Sequence, residues 1–186
     1  MTKVLPHSLF SEFDVQLFKA GKHFRLYEKF GCHTLEAKGQ QGLYFAVFAP
    51  AASAVEVIGD FNNWDGSKHA LNVRWDHSGI WEGFIPGLEQ GILYKYRIHS
   101  NHDDKVREKA DPYAFRTELM PKSASIHYDL SYKWSDKSWM DTRSASNGLN
   151  APISIYELHL GSWKKENGYS LSYKSLSTAL VDYVKE

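Results

Sequence analysis

Three groups of side chains in this chain are of types that could do chemistry. His99, His102, Asp103 and Asp104 lie close together and carry imidazole and carboxylate groups. Such groups ligate metal, but the spacing fixes no complete ligand set, and Asn101-His102-Asp103 reads as a solvated loop. Glu157 and His159 flank Leu158 in a compact apolar run. They are read as structural, or as a wall beside a substrate. Trp64 ends the turn-rich run Gly59-Asp60-Phe61-Asn62-Asn63-Trp64. A turn that presents an indole outward offers a flat apolar face on which sugar C–H groups can stack. Cys32 stands alone, with no neighbouring sequence signature of a nucleophile, and reads as an idle or buried thiol.

Composition narrows these choices. The chain has 186 residues, and its 22 Lys+Arg balance 22 Asp+Glu. That balance argues against a broad basic footprint for nucleic acid or an anionic membrane. One cysteine excludes an internal disulfide and favours a reducing compartment. No signal-type segment is evident, and the longest apolar run, Leu43 to Ala52, is too short to span a bilayer. A cytoplasmic protein with no cofactor is therefore expected. Aromatic residues make up 15% of the chain, which fits either a dense β core or sugar-stacking platforms.

The elements that would position these residues change along the chain. Leu9, Phe10, Phe13, Leu17 and Phe18 recur at helical spacing behind Ser8, a candidate N-cap, with Gly21 as the stop. Residues 1–35 are expected to form a helical lead. From Gly42 the period shortens, and Tyr94-Lys95-Tyr96-Arg97-Ile98-His99 alternates strictly. Alternation of that kind marks strands with one face in the core and one in water. Turn residues such as Pro50, Asn62-Asn63, Ser78-Gly79 and Pro86-Gly87 separate the short strands. The expected fold is mostly β, an immunoglobulin-like sandwich over residues 36–133. Trp75 and Trp81 fall in strand patterns and are assigned to its core. Residues 134–150 are polar and read as a linker. Ile153 to Leu158 is expected to be a strand, followed by a helix capped by Ser170 or Ser172 and carrying Leu176, Leu180, Tyr183 and Val184.

The hexapeptide Gly59 to Trp64, with Gly79-Ile80-Trp81-Glu82, Tyr94-Lys95-Tyr96 and Ala110-Asp111-Pro112-Tyr113-Ala114, closely resembles carbohydrate-binding module family 48. The run Ile155-Tyr156-Glu157-Leu158-His159-Leu160-Gly161-Ser162-Trp163 resembles the first barrel strand of the α-amylase superfamily, glycoside hydrolase family 13. The Gly-Ser-Trp ending and the opening from Phe13-Asp14 to Tyr27-Glu28 are similar to branching enzymes. The resemblance covers nearly the whole chain. It implies the N-terminal part of a glucan-branching enzyme, which cuts an α-1,4-glucan and transfers the chain to a 6-hydroxyl, forming α-1,6 branches in glycogen. In the family that chemistry is a retaining double displacement by two carboxylates on later barrel strands.

Residues 151–186 are then the start of a truncated (β/α)₈ barrel, since a whole one takes about 250 residues. No catalytic residue is assigned here, the 186-residue polypeptide is expected to be inactive, and its partners are α-1,4-glucan and the missing remainder of the barrel. An apolar strand and helix without that barrel are expected to be disordered or mispaired.

The resemblance also implies glucan contacts at Trp64, Lys95 and Trp163. Lys95 matches a cation that hydrogen-bonds glucan hydroxyls in related modules. Those modules carry a second tryptophan after the Tyr-Lys strand, whereas Ser100 to Lys109 has no aromatic residue. Trp64 is thus either a sugar platform or a ring buried against the catalytic domain. Trp163 either lines the glucan cleft or packs its own loop. A free-standing glycogen-binding or regulatory module and a debranching hydrolase remain the alternatives.

Overall fold

A computed structural model describes residues 3–186, and it divides into two compact units, one ending at Tyr132 and the other running Lys133–Glu186. The first unit is mostly antiparallel β. One sheet has the strand order β1-β2-β5-β4, built from β1 (Gly31–Ala37), β2 (Gln40–Phe48), β4 (Asn72–Val73) and β5 (Ile80–Pro86). The other has the order β3-β6-β9-β8, from β3 (Ala52–Gly59), β6 (Leu93–Ser100), β8 (Arg116–Thr117) and β9 (Ser125–Ile126), with β7 (Val106–Lys109) also paired to β6. All these strand pairs are antiparallel.

Two apolar clusters explain the pattern. Phe45 and Val47 of β2, Trp81 and Ile85 of β5, Val55 and Val57 of β3, and Tyr94 and Tyr96 of β6 share one core between the sheets. The reverse face of β2 and β5, carrying Tyr44, Ala46, Ile80 and Phe84, packs with Phe10, Val15 and Phe30 of the N-terminal segment. Strand β2 is therefore covered on both faces, so Leu43 to Val47 are all buried. That is why this strand reads as a continuous apolar run and β6, covered on one face, alternates.

The N-terminal segment is less helical than its periodicity suggests. Among the described residues of that segment, only α1 (Glu12–Lys19) and a 3-10 turn at Leu26–Glu28 are helical, and β1 already begins at Gly31. The cap is Ser11 rather than Ser8: the Ser11 hydroxyl accepts from the Asp14 N–H while the Asp14 carboxylate accepts from the Ser11 N–H, a capping box. The Ser8 hydroxyl instead donates to Glu82 at 2.9 Å. Trp81 is buried, its indole N–H donating to the Ala49 carbonyl at 3.0 Å. Trp75 is not in the core; it is 76% exposed. Strand β4 ends at Val73, and the neighbours of Trp75, Arg74 and Asp76, form a partly buried ion pair at 2.8 Å. The backbone there follows those charges instead of continuing the alternation.

In the second unit, α2 (Lys137–Ser146) occupies the polar stretch and buries no residue. A short helix α3 (Leu160–Trp163) and a two-residue hairpin, β10 (Lys165–Glu166) with β11 (Tyr169–Ser170), precede α4 (Tyr173–Lys185). Ser172 caps α4 by accepting from the Ser175 N–H. The strand expected at Ile153 to Leu158 is not formed, so a barrel strand is not seen. A strand needs a partner for its backbone groups, and none is paired with this run among the described residues. No described helix is long and apolar enough to cross a membrane.

Candidate functional site

The turn that carries Trp64 is held from below by its own sequence. β3 ends at Gly59, where a Cβ would fall 2.1 Å from the Leu93 carbonyl oxygen, so only glycine fits. Asp60 accepts from the Leu93 N–H at 3.2 Å. The Asn62 side chain is 2% exposed. It accepts from the Gly59 N–H at 2.9 Å, donates to the Val57 carbonyl at 2.9 Å and meets His69 Nδ1 at 3.0 Å. Phe61 packs edge-on to the His69 ring. Asn63 and Trp64 then both take left-handed φ, 53° and 60°. That region is uncommon for a bulky residue and persists only when its surroundings enforce it. Here the Trp64 N–H donates to the Gly59 carbonyl at 2.8 Å, and the Arg97 guanidinium donates to the Trp64 carbonyl at 2.9 Å. The indole is left 36% exposed.

Beside this turn lies the outward face of β6. The register pairs Ile58 with Lys95, Glu56 with Arg97 and Ala54 with His99. Side chains two apart on a strand share a face, so Lys95, Arg97 and His99 stand in one row. Lys95 Nζ donates to the Ser123 hydroxyl at 3.0 Å. Arg97 pairs with Glu108 at 3.0 Å and lies 3.8 Å from Glu56. His99 Nε2 is 3.6 Å from the same Glu56 carboxylate. The row therefore offers an indole, two cations and two carboxylates on a rigid sheet. Such a set can stack on a sugar ring and hydrogen-bond its hydroxyls. It has no group arranged as a nucleophile.

Trp163 lies in the other unit, at the end of α3. Its indole N–H donates to the Tyr156 hydroxyl at 3.0 Å, and its ring meets Tyr183 at 5.5 Å. Its contacts are thus with the run before α3 and with α4. The His102-Asp103 region forms a loop between β6 and β7, with Asp103 paired to Arg107 and Asn101 donating to the Ala52 carbonyl. No group of three or more metal-ligating side chains is brought together among the described residues.

The Asp111 of the Ala110 to Ala114 motif does structural work that its spacing conceals. Its carboxylate accepts from Tyr94 at 2.8 Å, Tyr96 at 3.1 Å and the Tyr113 N–H at 2.8 Å. Burial raises its pKa above the ordinary carboxylate value against the pull of those donors, and it raises the Tyr94, Tyr96 and Cys32 groups as well. The cluster ties β6 to the segment that follows β7. Arg97 and His69 are the contributors to the Trp64 turn that sequence reasoning missed. The one available signal was that Arg97 lies two residues from Lys95 on an alternating strand.

Residues 29–114 match the family model described as carbohydrate-binding module 48 (isoamylase N-terminal domain). The 1,4-alpha-glucan branching enzyme of Albidiferax ferrireducens is 47% identical over 176 residues, covering 95% of this chain and 28% of that protein. The one of Gloeobacter violaceus is 48% identical over 183 residues, covering 96% of this chain and 25% of that protein. The chain thus spans about a quarter of the length of the curated relatives it matches. Among solved structures, a Klebsiella pneumoniae pullulanase complexed with maltotriose is 22% identical at a TM-score of 0.43, over 54% of this chain and 10% of that one.

Proposed function

We propose that this chain, similar over 95% of its length to part of a 1,4-alpha-glucan branching enzyme and matching carbohydrate-binding module 48 over residues 29–114, serves α-1,6 branch formation in glycogen by holding α-1,4-glucan. The observation that carries this reading is 47% identity over 95% of the chain to a named branching enzyme. Glucan cleavage and transfer belong, on this reading, to barrel carboxylates, none of which is assigned in this chain. The first unit contributes the glucan contact. Trp64 supplies the stacking face, and Lys95 and its strand neighbour Arg97 supply donors to sugar hydroxyls. Trp163 is the candidate contact in the second unit. Its packing on Tyr156 and Tyr183 supports a loop-ordering role at the edge of the cleft. The working partners are α-glucan and the remainder of the catalytic barrel, in the cytoplasm.

Amylose incubated with the 186-residue polypeptide should gain no α-1,6 linkages. Joined to the remaining three-quarters of the Albidiferax relative, the same polypeptide should yield them, counted after enzymatic debranching. New α-1,6 linkages from the polypeptide alone, or a folded chimera that only shortens amylose, would contradict the proposal.

A further inference from the structure

The chain that follows Trp64 rests on a carboxylate of β3. At Gly66 a Cβ would fall 2.5 Å from Glu56 Oε2 and 2.6 Å from Glu56 Cβ, so the backbone two residues past Trp64 lies directly on this side chain. The backbones around that contact are pinned. Glu56 bridges Ala70, the Val57 N–H donates to the His69 carbonyl at 3.0 Å, and the Leu71 N–H donates to the Val55 carbonyl at 2.8 Å. Movement at this contact therefore falls on the Glu56 carboxylate.

Two side chains of β6 face that carboxylate. Arg97 Nη1 and His99 Nε2 lie 3.8 and 3.6 Å from the same atom, Glu56 Oε2. Both distances are ion-pair contacts too long for a hydrogen bond. Arg97 is bonded elsewhere, donating to the Trp64 carbonyl at 2.9 Å and to Glu108 at 3.0 Å. His99 Nε2 is different: it is buried and has no hydrogen-bond partner among the described residues. A buried polar atom left unpaired is costly and calls for an explanation.

A proton on this ring supplies one. It turns Nε2 into a charged N–H that faces a carboxylate, and imidazole is the side chain whose ordinary charge change falls between pH 5 and 8. The charged groups around it come from four segments. They are Glu56 of β3, Arg97 of β6 itself, Glu108 of β7, and Asp65 of the turn, whose carboxylate senses Arg97 and Lys68. Directly opposite His99 in the register are Ala54 and Val106, which carry no charge.

We propose that Glu56 is a positioning residue for the Trp64 platform, shared between Arg97 and His99, and that protonation of His99 draws it away from Arg97 and Gly66 and weakens glucan binding. With a neutral imidazole, Glu56 counters Arg97, the side chain that holds the Trp64 carbonyl, and supports Gly66. When the ring gains a proton, the carboxylate closes on Nε2–H. Its contact with Arg97 lengthens and the support beneath Gly66 shifts. The binding consequence rests on the glucan reading of Trp64; the coupling of His99 to Trp64 through Glu56 does not.

The test has two readouts on the ¹⁵N-labelled 186-residue chain. The first follows the Trp64 indole N–H and the His99 ring resonances without ligand as the pH falls from 8 to 5. The indole should move with the midpoint of the His99 ring. The second is affinity electrophoresis in glycogen at pH 7.5 and 5.5, where binding should weaken about 2- to 5-fold at the lower pH. Both changes should vanish in His99→Gln and in Glu56→Gln, which keeps the shape of the side chain and removes its charge; amide spectra at each pH confirm that the chains compared are folded. An indole that ignores the His99 midpoint, or binding that does not weaken at pH 5.5, overturns the coupling and leaves the Trp64 reading in place, as does a pH step that survives both substitutions. An indole that follows His99 in a chain that glycogen fails to retard keeps the coupling and overturns the Trp64 reading.

Discussion

The two units bury their aromatic and aliphatic residues to very different extents. In the first, Phe30, Tyr44, Phe45, Phe84 and Tyr96 are fully enclosed, and each fully buried ring of this size is worth about 1.5–3 kcal/mol relative to exposure. In the second, Leu176 alone is a buried hydrophobic residue, while Ile153 and Ile155 are 78% and 86% exposed. Yet both units carry equally distinctive motifs. A motif identifies a relative, but a strand forms only where its backbone groups find a partner. The first unit contains its partners; the second shows an apolar groove of Ile155, Tyr156, Leu158, Leu180 and Tyr183.

This contrast sets the sizes of mutational effects. Phe45→Ala, in the shared core of the sandwich, should lower stability by about 3–5 kcal/mol in urea denaturation. Ile155→Ala, made in parallel, should stay within about 0.5 kcal/mol, as exposed positions do. Equal effects would break the comparison. Asn62→Ala should cost about 1–3 kcal/mol, because the Gly59 N–H and Val57 carbonyl lose their partner in a buried turn. It should also change Trp64 fluorescence, since the left-handed turn rests on that side chain. A smaller, pH-dependent effect should come from His127. Burial, aided by His33, lowers its folded pKa below the ordinary 6.5 against the opposing charge of Asp129. The stability from keeping this ring neutral is complete above pH 6.5. It is lost as pH falls below that value through the folded pKa. Asp111 works in the opposite direction at lower pH: its raised pKa means that stability is lost as pH rises from 3.8 through its folded value. Urea midpoints at pH 7.5 and 5.5 should therefore differ less in His127→Gln than in the wild type.

Much of the first unit could be read from its residues. The alternation of Tyr94 to His99 places the two tyrosines inward and Lys95 and Arg97 outward, as found. The antiparallel sandwich follows from the short, turn-bounded runs. Three features resisted. Trp75 sits in an apolar pattern, but local charge pairing ends the strand before it. Ser8 does not cap the first helix; Ser11 does, because the carboxylate of Asp14, three residues beyond it, accepts from its N–H, while Ser8 is claimed by Glu82, 74 positions away. Ile153 to Leu158 has the composition of a strand and lacks a neighbour to pair with. For the Trp64 turn, the hexapeptide named the ring but not its supports, since the contacts from Arg97 and His69 depend on tertiary structure.

On the proposed reading, the first unit grips α-glucan through Trp64. Affinity electrophoresis of the 186-residue chain in gels containing glycogen tests it most directly. The wild type should be retarded, and Trp64→Ala, with its fold intact, should bind about tenfold more weakly. Identical mobility of the two proteins at every glycogen concentration would contradict it.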